Sequence, residues 1–145
     1  MGIEVGGDFI RLVELSCGRH GCQVRSCIDL SLSDPSDEVV VQTIKSLLKE
    51  RGIKTKQVIV ALPSSAVTFK EIDVAKNLSS KEAKGFLRFN LAKEMDLPEE
   101  EIIFDYQDGE LNDISRQLQL VAVKRKHAAR QAKLFKKTDL CLKAC

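Results

Sequence analysis

The chain has 145 residues, a length that fits one ordinary domain and excludes two full ones. Its 43% hydrophobic and 30% charged composition excludes a disordered tail or a collagen-like repeat. With 23 basic against 21 acidic residues the net charge is +2, too weak a field to nominate nucleic acid as the partner.

Three strands are expected first, over Gly2–Val5, Phe9–Ser16 and Cys22–Leu32. They are joined by glycine-bearing turns at Gly6–Gly7–Asp8 and Gly18–Arg19–His20–Gly21, which makes a β-meander. Asp34–Pro35 supplies a cap-type residue followed by a proline, and Val40, Ile44, Leu47 and Leu48 then recur at helical spacing until Gly52. The short apolar run Gln57–Leu62 reads as a strand buried on both faces and paired in parallel with the first. The pattern changes after Pro63, which suggests a second structural unit or an insertion. Ala66–Val74 alternates as a strand, and Ser79 with Glu82 forms a capping box for a helix running to about Asp96. Ile102–Tyr106 and Gln117–Val123 are strands across a polar loop containing Asp108–Gly109 and Asn112–Asp113. A last helix is expected over Lys126–Lys137, then the start of a strand at Leu140–Cys145.

No apolar run approaches the roughly 18–20 residues that cross a bilayer, and the start lacks the order of a secretory signal. The cytosol, or the cytosolic side of a membrane, is therefore the expected place. There the five cysteines should stay reduced, and no structural disulfide is expected. Cys17, His20, Cys22 and Cys27 show no knuckle spacing and no second ligand pair, so no metal site is expected. Cys17 and Cys27 read instead as small apolar side chains on strands, with His20 and Gly21 in the turn between them.

The opening Gly2-Ile3-Glu4-Val5-Gly6-Gly7-Asp8-Phe9-Ile10-Arg11-Leu12-Val13-Glu14-Leu15 resembles the first phosphate hairpin of actin-like ATPases. It is more closely similar to the start of the type IV pilus assembly protein PilM family. Three further segments fall in that family's order: Ala61-Leu62-Pro63-Ser64-Ser65-Ala66-Val67; Glu94-Met95-Asp96-Leu97-Pro98 with Ile103-Phe104-Asp105-Tyr106-Gln107; and Leu120-Val121-Ala122-Val123-Lys124-Arg125. The resemblance covers essentially all of the chain but only the front part of the family's usual length. It implies an α/β (α+β) fold: a partial actin-like, ribonuclease-H-like subdomain (βββαβ…α) with an inserted βαββ subdomain, as in PilM and the division protein FtsA. Residues 1–62 would be the first half of the actin-like subdomain, 63–124 the insertion, and 125–145 the returning helix and a cut strand. Either a longer protein was truncated or this is a shortened relative.

An actin-like site needs a carboxylate for hydrated magnesium, a glycine that admits phosphate to backbone N–H groups, and hydroxyls in the turn. Glu4 and Gly6 match the first two, whereas Gly7 and Asp8 replace the hydroxyl residues. An anionic Asp8 about 4 Å from a phosphate would cost on the order of a few kcal/mol at an effective dielectric near 20. Glu4, Gly6, Gly7 and Asp8 thus form a degenerate phosphate hairpin, and the alternative reading is a plain hairpin turn. The family's remaining nucleotide motifs lie outside this sequence, so no cofactor and no enzymatic activity are expected of this chain. ATP with magnesium belongs to the alternative function, a fragment of an actin-like ATPase.

The leading expectation is a cytoplasmic scaffold, peripheral at the inner membrane, that binds the cytosolic N-terminal peptide of a PilN-like inner-membrane protein, with other pilus assembly proteins as further partners. The resemblance implies a groove lined by Leu62, Pro63, Ser64, Val67, Phe69, Phe86 and Leu87, residues able to offer strand-edge partners and apolar pockets. The alternative is that the apolar ones form the insertion's own core. Lys124–Lys137 holds seven Lys or Arg and no acid. It reads as a solvated helix face packed on a sheet, with anionic lipid as the alternative surface and no aromatic residues interleaved for nucleic acid. A division-type membrane tether would need a terminal amphipathic helix, and none follows Lys137 in this sequence.

Overall fold

Strand alternation and the placement of two glycine turns build the first sheet. The computed structural model describes residues 1–111 and 114–144. Its elements are β1 (Gly2–Val5), β2 (Phe9–Gly18), β3 (Gly21–Ser31), α1 (Asp37–Glu50), β4 (Gln57–Ala61), β5 (Val67–Ala75), α2 (Ser80–Met95), β6 (Ile102–Leu111), β7 (Ser115–Lys124), α3 (Arg125–Lys136) and β8 (Cys141–Ala144). They form a five-stranded sheet ordered β3-β2-β1-β4-β8 and a three-stranded sheet ordered β5-β7-β6. The chain divides into two compact units, Met1–Pro63 with Ala128–Cys145, and Ser64–His127.

In the first unit β1, β2 and β3 run antiparallel through tight turns. β4 returns parallel to β1, with Ile3 opposite Val60, a pairing that requires a crossover such as α1. Ile3, Val5, Ile10, Leu12, Val58 and Val60 share a core with Val40, Val41 and Ile44 of α1 and Leu134 and Phe135 of α3. β4 departs from the expectation of a strand buried on both faces. Val58 and Val60 are buried, but Ile59 between them is 59% exposed, because successive side chains point to opposite faces and both helices pack on one.

α1 also starts later than Asp34–Pro35 suggested. The Asp34 carboxylate accepts hydrogen bonds from the Ser36 amide at 2.8 Å and the Ser36 hydroxyl at 3.0 Å. That local turn holds Pro35 outside the helix, and Asp37 and Glu38 occupy the first turn, where their charge complements the helix dipole. At the other end Gly52 sits at φ 63°. Its amide donates to the Lys49 carbonyl and the Ile53 amide to that of Leu48, a Schellman stop that requires the left-handed residue.

The expectation of no disulfide is overturned: Cys17 and Cys22 are bonded. The turn between β2 and β3 spans only Arg19 and His20, because Gly18 pairs with Gly21. Cys17 and Cys22 are therefore directly opposite each other across the hairpin, with Cα atoms 4.0 Å apart. An argument from compartment alone could not see that register. Cys27, expected to pack on a strand, is exposed.

In the second unit β7 is flanked by antiparallel β5 and β6, and α2 covers one face. Val74, Leu118, Leu120, Ala122 and Ile102 of the sheet bury Ala83, Leu87 and Leu91 of α2. The capping box forms as the sequence indicates: the Ser79 hydroxyl accepts from the Glu82 amide, and the Glu82 carboxylate accepts from the Ser79 amide at 2.9 Å. α2 ends at Asp96, which adopts φ 50°. β6 runs on to Leu111 through an irregularity after Asp108, so Asp108–Gly109 lies in a strand rather than a loop. Asn112–Asp113 and Cys145 lie outside the described residues.

Candidate functional site

The first candidate is the β1–β2 turn. The Gly6 amide is used internally, donating to the Phe9 carbonyl at 2.9 Å. The Phe9 ring fills the space beside Gly6 so closely that a Cβ there would overlap a ring carbon. Gly7 and Asp8 are exposed. Glu4 lies opposite Arg11 in the β1–β2 register, and their side chains form an ion pair at 3.6 Å. The Arg11 guanidinium also binds the Asp29 carboxylate at 3.1 Å and stacks 4.2 Å above the Phe9 ring.

The Asp29 hydrogen bond first, then the Asp29 charge, raise the Arg11 pKa against a small desolvation effect, with Glu4 adding less. Such an exposed network contributes little stability. Its chemical effect is specific, however: the carboxylate that would hold a hydrated cation already has a cationic partner, and an aromatic ring covers the glycine that phosphate would approach. The four residues Glu4, Gly6, Gly7 and Asp8 are thus brought together, in the form of a closed hairpin.

The second candidate set is split. Leu62 and Pro63, both half-buried, end the first unit's leading segment, and exposed Ser64 opens the second unit in a short turn before β5. Val67 is half-buried at the start of β5 and Phe69 is 70% exposed. Phe69 has the parity of Glu71, opposite to Val74, so it stands on the sheet face away from α2. Leu87 is fully buried under α2 against the other face, and Phe86 beside it is 45% exposed, outside the buried stripe. Phe69 thus stands on the open sheet face of the lobe, Phe86 on the outer side of α2, and Leu87 in the core between helix and sheet. Tyr106, with its hydroxyl donating to the Ser80 carbonyl at 3.3 Å, is a packing residue.

The open sheet face carries a depression of about 690 Å³ lined by Phe69, Glu71, Asp105, Gln107, Gln119 and Val121 among others. Of these the sequence reading singled out only Phe69. The signal for Glu71 was the alternation of Val67, Phe69, Glu71 and Asp73 along β5; Asp105, Gln107, Gln119 and Val121 join it only through strand register. In the first unit, Arg130 of the basic stretch is not a free charge. It binds the Asp37 carboxylate at 2.9 Å and the Pro35 carbonyl at 3.3 Å, tying α3 to the start of α1. Gln131 is buried and its amide donates to the Val5 carbonyl at 3.3 Å.

Comparison with known proteins adds the following. The sequence profile described as "Type IV pilus assembly protein PilM" matches residues 2–144. No curated protein sequence matches. Among solved structures, a chain of the PilM-PilN type IV pilus biogenesis complex superposes with a TM-score of 0.78 at 20% identity, over 98% of this chain and 45% of that one. The cytoplasmic domain of EpsL, an inner membrane component of the type II secretion system of Vibrio cholerae, superposes with a TM-score of 0.68 at 15% identity, over 98% of this chain and 54% of that one. The chain thus spans about half the length of these structures, and the likeness establishes the actin-like fold.

Proposed function

Since the chain belongs to the type IV pilus assembly protein PilM family, we propose that it is a docking module of pilus assembly on the cytoplasmic side of the inner membrane. It receives the cytosolic N-terminal peptide of a PilN-like membrane partner and does not turn over nucleotide as this chain. The family match over residues 2–144 carries the reading. Likeness to a chain from a PilM-PilN complex supports it, as does likeness to the cytoplasmic domain of an inner-membrane secretion component. Among the described residues no helix is long and apolar enough to cross a membrane, which fits attachment through a partner. The non-catalytic part is supported by Phe9 over Gly6 and by Arg11 on Glu4.

The test is capture of immobilised cytosolic tails of pilus inner-membrane proteins by the purified chain. One tail is expected to be retained saturably; retention of none refutes the docking reading. Calorimetric titration with ATP and magnesium is expected to show no binding. Micromolar affinity would instead support an actin-like ATPase fragment.

A further inference from the structure

The open face of the β5-β7-β6 sheet has a composition that changes along its strands. Register places Val67, Val123 and Ile103 in one row across the three strands, and Phe69, Val121 and Asp105 in the next. Glu71, Gln119 and Gln107 form the third row, and Asp73 with Gln117 extends beyond it. Rows of the same face lie about 7 Å apart, so the surface passes from apolar to acidic over roughly 20 Å. The apolar end is open to solvent in part: Phe69 is 70% exposed, Val121 40% and Ile103 38%, whereas Val123 is buried and Val67 half-buried.

Among the described residues of the three strands, no lysine or arginine stands on this face at its acidic end, although Lys70 belongs to the lining of the depression. By alternation the lysine and arginine of these strands, Lys70, Arg116 and Lys124, stand on the opposite face. There Lys70 is ion-paired with Glu94 of α2, and Arg116 with Asp108. Among the described residues none of Glu71, Asp73 and Asp105 forms an ion pair. Glu71 accepts a hydrogen bond from Gln119 at 3.3 Å, and Asp105 one from the neighbouring Tyr106 amide at 3.0 Å.

We infer that this face docks a short segment of a protein partner that carries apolar side chains at one end and lysine or arginine at the other, the cationic end lying on Glu71, Asp73 and Asp105. The inference rests on the docking function proposed above and adds a surface and a charge rule to it. Charge complementarity selects the occupant. An acidic segment would meet three like charges, whereas a purely apolar one would leave the acidic half of the depression without a partner. Phe69, on the edge strand β5, is the anchor, since this 70% exposed aromatic gains most by being covered.

The experiment is a charge swap read by fluorescence anisotropy on the whole chain. The probes are fluorescein-labelled Arg-Lys-Arg-Gly-Leu-Ile-Leu-Leu and its counterpart Glu-Asp-Glu-Gly-Leu-Ile-Leu-Leu. The wild-type chain is expected to bind the cationic probe at least tenfold more tightly, less so in high salt. The double variant Glu71→Lys/Asp105→Lys is expected to reverse that preference, and Phe69→Ser to weaken the wild-type binding about tenfold or more. All three substitutions are on solvent-exposed positions, and circular dichroism verifies that the variants fold. Equal affinity for the two probes, no binding of either, or a preference unchanged by the double variant overturns the inference. Repeating the tail capture with the double variant separates the two ideas: equal capture by both chains defeats this surface and leaves the docking function standing. Failure of the wild-type chain to capture any tail, with the probe preference intact, defeats the docking function alone.

Discussion

Leu87 and Phe86 are neighbours on α2 with opposite surroundings, and truncating each to alanine tests the assignment of faces. Leu87 is fully buried beneath the helix and packs in the lobe's core with Leu91, Leu118 and Leu120. Removing its side chain forfeits about 1.5–3 kcal/mol of transfer free energy and leaves a cavity, for a total loss of about 2.7–5 kcal/mol. Phe86 retains 45% of its exposure, so only about half of an aromatic's transfer free energy is at stake, roughly 1 kcal/mol. The assay is amide hydrogen exchange of α2 in the full chain, which reads the opening free energy of that element. Leu87→Ala is expected to accelerate exchange of the helix's protected amides by more than about 100-fold, at about 1.4 kcal/mol per factor of ten. Phe86→Ala should change it by about fivefold or less. An acceleration by Phe86→Ala equal to or larger than that of Leu87→Ala would refute the reasoning, because it would mean that the sheet buries the other side of α2.

Ser79→Ala removes one half of the capping box and should cost about 1 kcal/mol by urea denaturation, read on the lobe. The same box makes a pH prediction. Hydrogen bonds from the Ser79 side chain and then its backbone hold the Glu82 carboxyl below its ordinary value of 4.5. Its folded pKa is depressed, so its contribution is fully present above the unfolded value and is lost as the pH falls through the folded one. Stability should therefore decline less steeply below about pH 4.5 in Glu82→Gln than in the parent chain. Alkylation and peptide mapping under native conditions should leave Cys17 and Cys22 unlabelled until reductant is added, while Cys27 reacts at once. Labelling of Cys17 without reductant would contradict the bonded pair. Gly6→Ala must displace the Phe9 ring and should cost about 1–3 kcal/mol by thermal or urea denaturation. Adding Phe9→Ala should make the extra cost of Gly6→Ala nearly vanish, a double-mutant cycle that isolates that contact.

Local chemistry made most elements legible in the chain. The Ser79–Glu82 box, the helical spacing of Val40, Ile44 and Leu47 and the glycine turns at Gly6–Gly7 and Gly18–Gly21 each act over a few residues, and the structure contains them. The parallel return of Gln57–Ala61 beside Gly2–Val5 was also readable, because a helix-length crossover separates the two runs. Proline was less reliable: Pro35 marked the approach to α1 and not its first turn, since the Asp34–Ser36 hydrogen bonds compete for that stretch.

What local pattern could not assign was which face each residue shares with residues far away in the chain. Apolar character marked Val67, Phe69, Phe86 and Leu87 as notable, yet only packing separates them into a sheet's open face, a helix's outer side and a core. Ile59 lies in a run of apolar residues and still faces outward, because both helices of its unit pack on one side of the sheet. The Cys17–Cys22 bond and the rows that align Glu71 with Gln119 and Gln107 depend on strand register, which is set by contacts between strands. Sequence determined the elements, their order and the family to which they belong, through interactions between near neighbours. Tertiary structure alone decided the occupied hairpin at Gly6 and the acidic, apolar face of the lobe, since both arise from side chains that meet only after the strands have paired.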